Sequence, residues 1–342
     1  MNMMNQEERQ DVKPAFNLND ELPLPRIVPV HLDVLPPRWA KFAKKQKVQL
    51  HLAVLYENEA GTGKLWPATN VLAMGVARGD HKGNRKAGDS TSGGYGVAMA
   101  TAIKMSHARD AQFPIDGFVA IINNSLPEGK RKALTDLGVE LDDKARTAVE
   151  AMVRAEELER DGAFWLTRQY WNRDNGDGYQ RIAKHIAHSL PLLGLAAWGV
   201  GSGGGCSGVM PVLTQEFASR ELPLRRIAVV VEDGEKVGGV RDEISLEPGT
   251  LDWRSPNIDG VRIVGESASY GFSAALWRQA DFRSGPSTGF AAEGAMLAAR
   301  ELAIMRVLDE YRADDGMVHI LAPSMDTRDP YEAEYAEKNI YF

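Results

Sequence analysis

The stretch AAWGVGSGGGCSGVMP, residues Ala196–Pro211, passes from an apolar run through bare glycine backbone into a helix-forming segment. Glycines are kept where something must come close to the main chain. Consecutive N–H groups without side chains, aimed from a helix N-terminus, make a nest for an anion. GVGSGG within the stretch also fits the G-x-G-x-x-G of dinucleotide-binding turns. The next strand-like run ends at Glu232, 31 residues beyond Gly201. The dinucleotide fingerprint expects its acid ~20 residues on. No lysine follows the glycines, so this is not a nucleotide triphosphatase loop. Three readings stand on the stretch alone: an anion cradle, an NAD(P)-dependent Rossmann oxidoreductase site, and a tightly packed turn.

Composition narrows the class. The 342 residues are 44% hydrophobic and 25% charged, an ordinary globular balance that fits one large or two medium domains. A formal charge of −7 with no basic run argues against nucleic acid as a partner. The single cysteine, Cys206, excludes an intrachain disulfide and a cysteine-rich zinc cluster. No metal site is expected: His185 and His188 share a helix face but have no carboxylate at ligand spacing. The polar start MNMMNQEERQD lacks a signal-peptide pattern, and no apolar run approaches a membrane span. A cytoplasmic protein is expected, with no membrane partner.

Along the chain, residues 1–34 read as a proline-punctuated arm without regular structure. Strand-like runs at Lys47–Glu57, Gly117–Asn124, PLLGLAAWGV, RRIAVVVEDG and MVHILAP alternate with helical stretches. That alternation predicts an α/β fold with parallel sheets flanked by helices. Two further loops of glycine and hydroxyl residues lead into helices, Asp89–Ala100 and Gly285–Gly294. Such loops lie at the carboxyl ends of parallel strands, where ligands bind.

The order of these loops resembles the cysteine synthase and tryptophan synthase β family, the fold type II enzymes that use pyridoxal 5'-phosphate (PLP). The carriers are STSGGYGVAMA, GVGSGGGCSGV, GPSTGFA, EGKRKALTDLGVEL and QYWNRDN, in family order from about Val48 to Tyr331. The resemblance implies two lobes with PLP between them. The smaller, mobile lobe would span 58–172. The larger lobe, which binds the cofactor phosphate, would comprise 35–57 and 173–342. It also implies a homodimer and a small amino-acid substrate.

That family needs a lysine to hold PLP. GTGK supplies Lys64, 27 residues before Thr91, close to the family separation. A second register, ungapped on NVLAMGVARG, puts Pro67 at that position and leaves no lysine. Lys82 and Lys86 read as solvated charges in a polar run. By resemblance, Lys64 would be both the cofactor lysine and the catalytic base. Gly201, Ser202, Gly203, Gly204 and Gly205 would cradle the phosphate, and Ser287 would meet the pyridine nitrogen. Thr91, Ser92, Gly93 and Gln169 would bind the substrate carboxylate. A hydroxyl at the ring nitrogen favours β-elimination and β-replacement. Two residues depart from the family: Gly94 stands for its asparagine, and Tyr95 puts a bulky ring beside the carboxylate loop. They motivate a second expectation, a catalytically degenerate homologue acting as a binding or regulatory protein.

Overall fold

The structure is a computed structural model that describes residues 12–124, 126–243, 246, 251, 253–254, 256–279 and 282–340. Its strands are β1 (Arg26–Pro29), β2 (Val48–Val54), β3 (Lys86–Ser90), β4 (Gly117–Asn123), β5 (Glu140–Ala145), β6 (Trp165–Leu166), β7 (Leu193–Gly199), β8 (Arg225–Val231), β9 (Gly260–Val264) and β10 (Val318–Ser324). They form a six-stranded sheet, β1-β2-β10-β7-β8-β9, and a four-stranded sheet, β5-β4-β3-β6. Every pairing is parallel except β1 with β2.

Residue alternation on the larger sheet decides which helices cover it. Leu50, Leu52, Ala197, Val229 and Ile320 point to one face, under Phe290 and Ala295 of the helix Pro286–Ile304. Ala53, Ala196, Val230 and Leu321 point to the other, with Ile186 of the helix Gln180–Ser189 and Leu213 of the helix Gly204–Ala218. Strands buried on both faces read as continuous apolar runs, which is why β2, β7, β8 and β10 stand out in the sequence.

The arm departs from expectation. Its Arg26–Pro29 pairs antiparallel with β2, and Leu18–Glu21 is a short helix. Proline is tolerated in β1 because an edge strand leaves one side of its backbone unpaired. Asn19 Nδ2 donates to Trp66 O at 2.6 Å and Gly178 O at 2.9 Å, so the arm pins the start of the helix Leu65–Arg78. Residues before Val12 lie outside the described residues.

The polar run around Lys86 is also strand. Lys86 Nζ is exposed and pairs with Glu140 Oε2 at 2.6 Å, but Ala87–Ser90 are buried. Gly88 is required there, because a Cβ would lie 2.5 Å from the Phe164 ring.

Candidate active site

Parallel strands carry their following loops to one edge, and the carboxyl ends of β2, β7 and β10 meet there. The loop after β2 brings Lys64, just ahead of the helix Leu65–Arg78. The loop after β7 brings the glycines, and β10 is followed by Asp326. Lys64, Gly201, Ser202, Gly203, Gly205, Ser287 and Asp326 border one cavity. Pro67 lies inside the helix and packs on Gly178, turned to the arm rather than to this cavity. Burial lowers the pKa of the Lys64 ammonium, the charge of Asp326 opposes that shift, and Arg241 adds to it.

The glycine loop is bare for two reasons. Gly203 has φ +82°, a left-handed conformation that favours glycine, and caps the helix Gly204–Ala218. Surrounding protein also closes on the loop. A Cβ on Gly201 would lie 2.3 Å from Gly239 O, and one on Gly205 would lie 2.1 Å from Trp198 Nε1. Gly204 is backed by Asn175 Oδ1 at 2.7 Å in the same sense. Asn175 Nδ2 donates to Ser202 Oγ at 3.1 Å and to Gln169 O at 2.5 Å, which ties QYWNRDN to the cradle. The first amides of a helix have no partner within it, so this end is built to receive an anion. Cys206, in the first turn, is packing: it is buried and its thiol is pushed up to about 12.

Thr91, Ser92 and Gly93 sit together at the N-terminus of a second helix, Gly94–Arg109. Thr91 Oγ1 accepts from Gly93 N at 3.0 Å and Gly96 N at 3.3 Å, leaving its own proton free to donate. Ser92 is exposed. Neither this loop nor Gln169, which lies behind it, borders the cavity. Its Nε2 donates to Ser90 O at 2.5 Å, and its backbone N donates to Asp89 Oδ2 at 2.8 Å.

Tyr95 is not where the motif comparison puts it. The ring is buried, edge-on to Phe118, and its hydroxyl donates to Thr167 Oγ1 at 3.3 Å. Position 95 is the second residue of the helix, and its side chain turns onto the buried face against Phe118. Tyr95 is therefore core, and Tyr95→Thr is expected to destabilise the fold by about 3 kcal/mol. Chemical unfolding should read this loss, while the KM of substrate stays within about twofold. Gly94, by contrast, does face the cavity group. A Cβ on it would make ordinary contacts, 3.9 Å from Lys64 Cγ and 3.7 Å from Thr62 Oγ1.

Three residues were not visible as site residues in the sequence. Asp326 Oδ1 accepts from Thr62 Oγ1 at 2.6 Å, and Asp326 Oδ2 accepts from the Tyr331 hydroxyl at 2.9 Å. An acid just beyond the end of a buried strand is the signal that could have found them. Nearby, the helix Glu128–Asp136 packs on the turn Asp329–Tyr331. Lys130 is buried there (7% exposed), its Nζ 4.4 Å from the centre of the Tyr331 ring.

A family model described as "Pyridoxal-phosphate dependent enzyme" matches residues 38–308. The chain belongs to the pyridoxal-phosphate dependent enzymes. No curated protein matches the chain. Several solved structures share the fold. The O-acetylserine dependent cystathionine β-synthase of Helicobacter pylori is 18% identical with a TM-score of 0.71, covering 95% of this chain and 98% of its own. An O-ureido-L-serine synthase is 20% identical with a TM-score of 0.74, covering 96% and 97%. A hydrogen sulfide-producing enzyme from Fusobacterium nucleatum is 16% identical with a TM-score of 0.74, covering 93% and 99%.

The residues present fit PLP, the cofactor of this family. Ser287 Oγ borders the cavity, is buried, and has no hydrogen-bond partner among the described residues. A buried hydroxyl without a partner is costly unless a ligand completes it. The nicotinamide reading fails on geometry. Glu232 N donates to Val264 O at 3.3 Å, and its residue borders a separate cavity of about 580 Å³ with Glu235 and Arg38. The ground for a degenerate site also weakens, because Tyr95 is outside the cavity.

Proposed function

We propose that this PLP-dependent enzyme catalyses β-elimination or β-replacement on a small amino acid. The observation that carries the reading is the unpartnered Ser287 hydroxyl at the cavity. A neutral hydroxyl at the cofactor's ring nitrogen, where other chemistries use a charged partner, suits loss of a β-substituent. The structural neighbours named for O-acetylserine, O-ureido-L-serine and hydrogen sulfide are consistent with it, although they share only the fold.

The bound cofactor would supply an electron sink for charge developing at the substrate α-carbon. The protein's part is then as follows. Lys64 would hold the cofactor, and its Nζ would take the α-proton of the substrate. The amides of the Gly201–Gly205 stretch and the Ser202 side chain hold the phosphate. The Thr91 proton, the Ser92 hydroxyl and the amides near Gly93 hold the substrate carboxylate at a helix N-terminus. Gln169 braces that loop through Ser90 O instead of touching substrate. The division at residues 58 and 172, with the smaller unit closing over substrate, belongs to the same reading.

In elimination, the amino acid and water give a 2-oxo acid, ammonia and the protonated leaving group. Incubation with O-acetylserine and β-chloroalanine in D₂O tests this. The expected result is 2-oxo acid and ammonia in equal amounts, with exchange of the α-hydrogen seen by NMR. Loaded protein that gives neither products nor exchange with either substrate would overturn the reading.

A further inference from the structure

We propose that Asp326 is the counter-charge of Lys64, a positioning carboxylate held by Thr62 and Tyr331 that stabilises the protonated amine across the cavity. This rests on the reading of Lys64 as the reactive lysine.

The chain places the carboxylate deliberately. Residue 326 follows β10 and forms an antiparallel bridge with Thr62, two residues before Lys64. Gly63 N donates to Met325 O at 2.6 Å, and Gly285 N donates to Asp326 O at 2.7 Å. The backbone on both sides of the carboxylate is thus locked to the lysine loop and to the loop carrying Ser287. Each carboxylate oxygen then accepts one hydroxyl proton, from Thr62 and from Tyr331. Two neutral donors fix the group without cancelling its charge.

Glycines border both groups. A Cβ at Gly94 would lie 3.9 Å from both Asp326 Oδ1 and Lys64 Cγ. One at Gly239 would lie 3.8 Å from Asp326 Oδ2, and one at Gly201 would lie 3.8 Å from Lys64 Nζ. A side chain at position 94 would enter the space beside Asp326 and the Lys64 stem, and Gly94 leaves that space without one. Among the described residues, no lysine, arginine or histidine nitrogen stands within 4.0 Å of Asp326. No ion pair neutralises it at contact, and both Lys64 and Lys130 feel its charge. The charged and titratable groups that face the pair are Arg241, which opposes the ammonium form of Lys64, and Lys130, Tyr179 and Tyr331 around Asp326.

The sign follows from electrostatics. A negative charge favours the ammonium, so it offsets the lowering that burial imposes on Lys64. Removing it makes the amine neutral at lower pH.

The test uses the full chain freed of cofactor, labelled with acetic anhydride across a pH series, with acetylation at Lys64 read by peptide mass. Asp326→Asn keeps the shape and removes the charge, and Asp326→Ser does so with a smaller side chain. Each should lower the Lys64 labelling midpoint by about one pH unit or more, giving roughly tenfold more label below both midpoints. Tyr331→Phe keeps the carboxylate and should move it less than either. Far-UV dichroism shows which variants are folded, and either folded Asp326 variant decides. A midpoint that stays at the wild-type value overturns the proposal. Borohydride reduction of the loaded wild type separates the underlying reading: a cofactor label on another lysine refutes the role of Lys64 without touching the Lys64 titration.

Discussion

Lys64→Ala lowers turnover by on the order of 10³-fold or more and abolishes covalent capture of the cofactor. In the proposed function two roles fall on one nitrogen, the amine that holds the cofactor and the base that takes the α-proton. The loss is therefore expected at the upper end of what a single acid–base group contributes. The position admits no substitute. Among the described residues Lys130 is buried, but its Nζ lies over the Tyr331 ring and it does not border the cavity. Borohydride reduction and peptide mapping should place the pyridoxyl group on Lys64 in the wild type and on no lysine in the variant. Capture on a different lysine in the wild type sinks the assignment.

Gly201→Ala should weaken cofactor binding by more than tenfold and destabilise the fold by about 1–3 kcal/mol. The added methyl would stand 2.3 Å from Gly239 O, a backbone atom that cannot rotate aside. The loop bearing Gly239 must move outward, and the cradle and the wall of the cavity separate together. Gly271 is the control. It sits within the helix Glu266–Leu276 with nothing within 4 Å of a new Cβ. Alanine there should add a few tenths of a kcal/mol or more to stability and leave affinity alone. Equilibrium dialysis of the cofactor beside thermal unfolding reads both effects. An unchanged affinity in Gly201→Ala, with its stability loss present, would leave the glycine a packing role only.

How far the sequence speaks depends on where each element lies. Five strands of buried parallel sheet, β2, β4, β7, β8 and β10, are apolar runs and are legible as such. The hidden ones break that pattern for local reasons. β1 is four residues at an edge, bounded by prolines. β3 carries Gly88 and Asp89, poor strand formers kept for the Phe164 ring and for hydrogen bonds from Thr167 and Gln169. β5 is a largely polar edge, and β6 is two residues.

The site divides in the same way. Glycine and hydroxyl loops announce themselves by composition, so Gly201–Gly205, Thr91–Gly93 and Ser287 could be found. Motif matching gives a position but not a direction, so it set Tyr95 in the pocket when the helix turns it into the core. Thr62 and Asp326 are 264 residues apart. Only the pairing of β2 with β10 makes them neighbours, and a single sequence does not carry that pairing.

The helix Glu128–Asp136 and the turn Asp329–Tyr331 meet through Gly129 against Pro330 and through a lysine, Lys130, over the Tyr331 ring. An ammonium stripped of water and set over a phenol ring recovers only part of its lost hydration. Separating the two segments would return that hydration to Lys130, whereas separating a leucine contact would expose oil to water. The junction therefore holds with less grip than its burial suggests. A clasp made this way opens at less cost than an apolar contact of the same size, although a shared apolar core still joins the two sheets. Because the same Tyr331 hydroxyl steadies Asp326, the clasp and the charge opposite Lys64 would loosen as one.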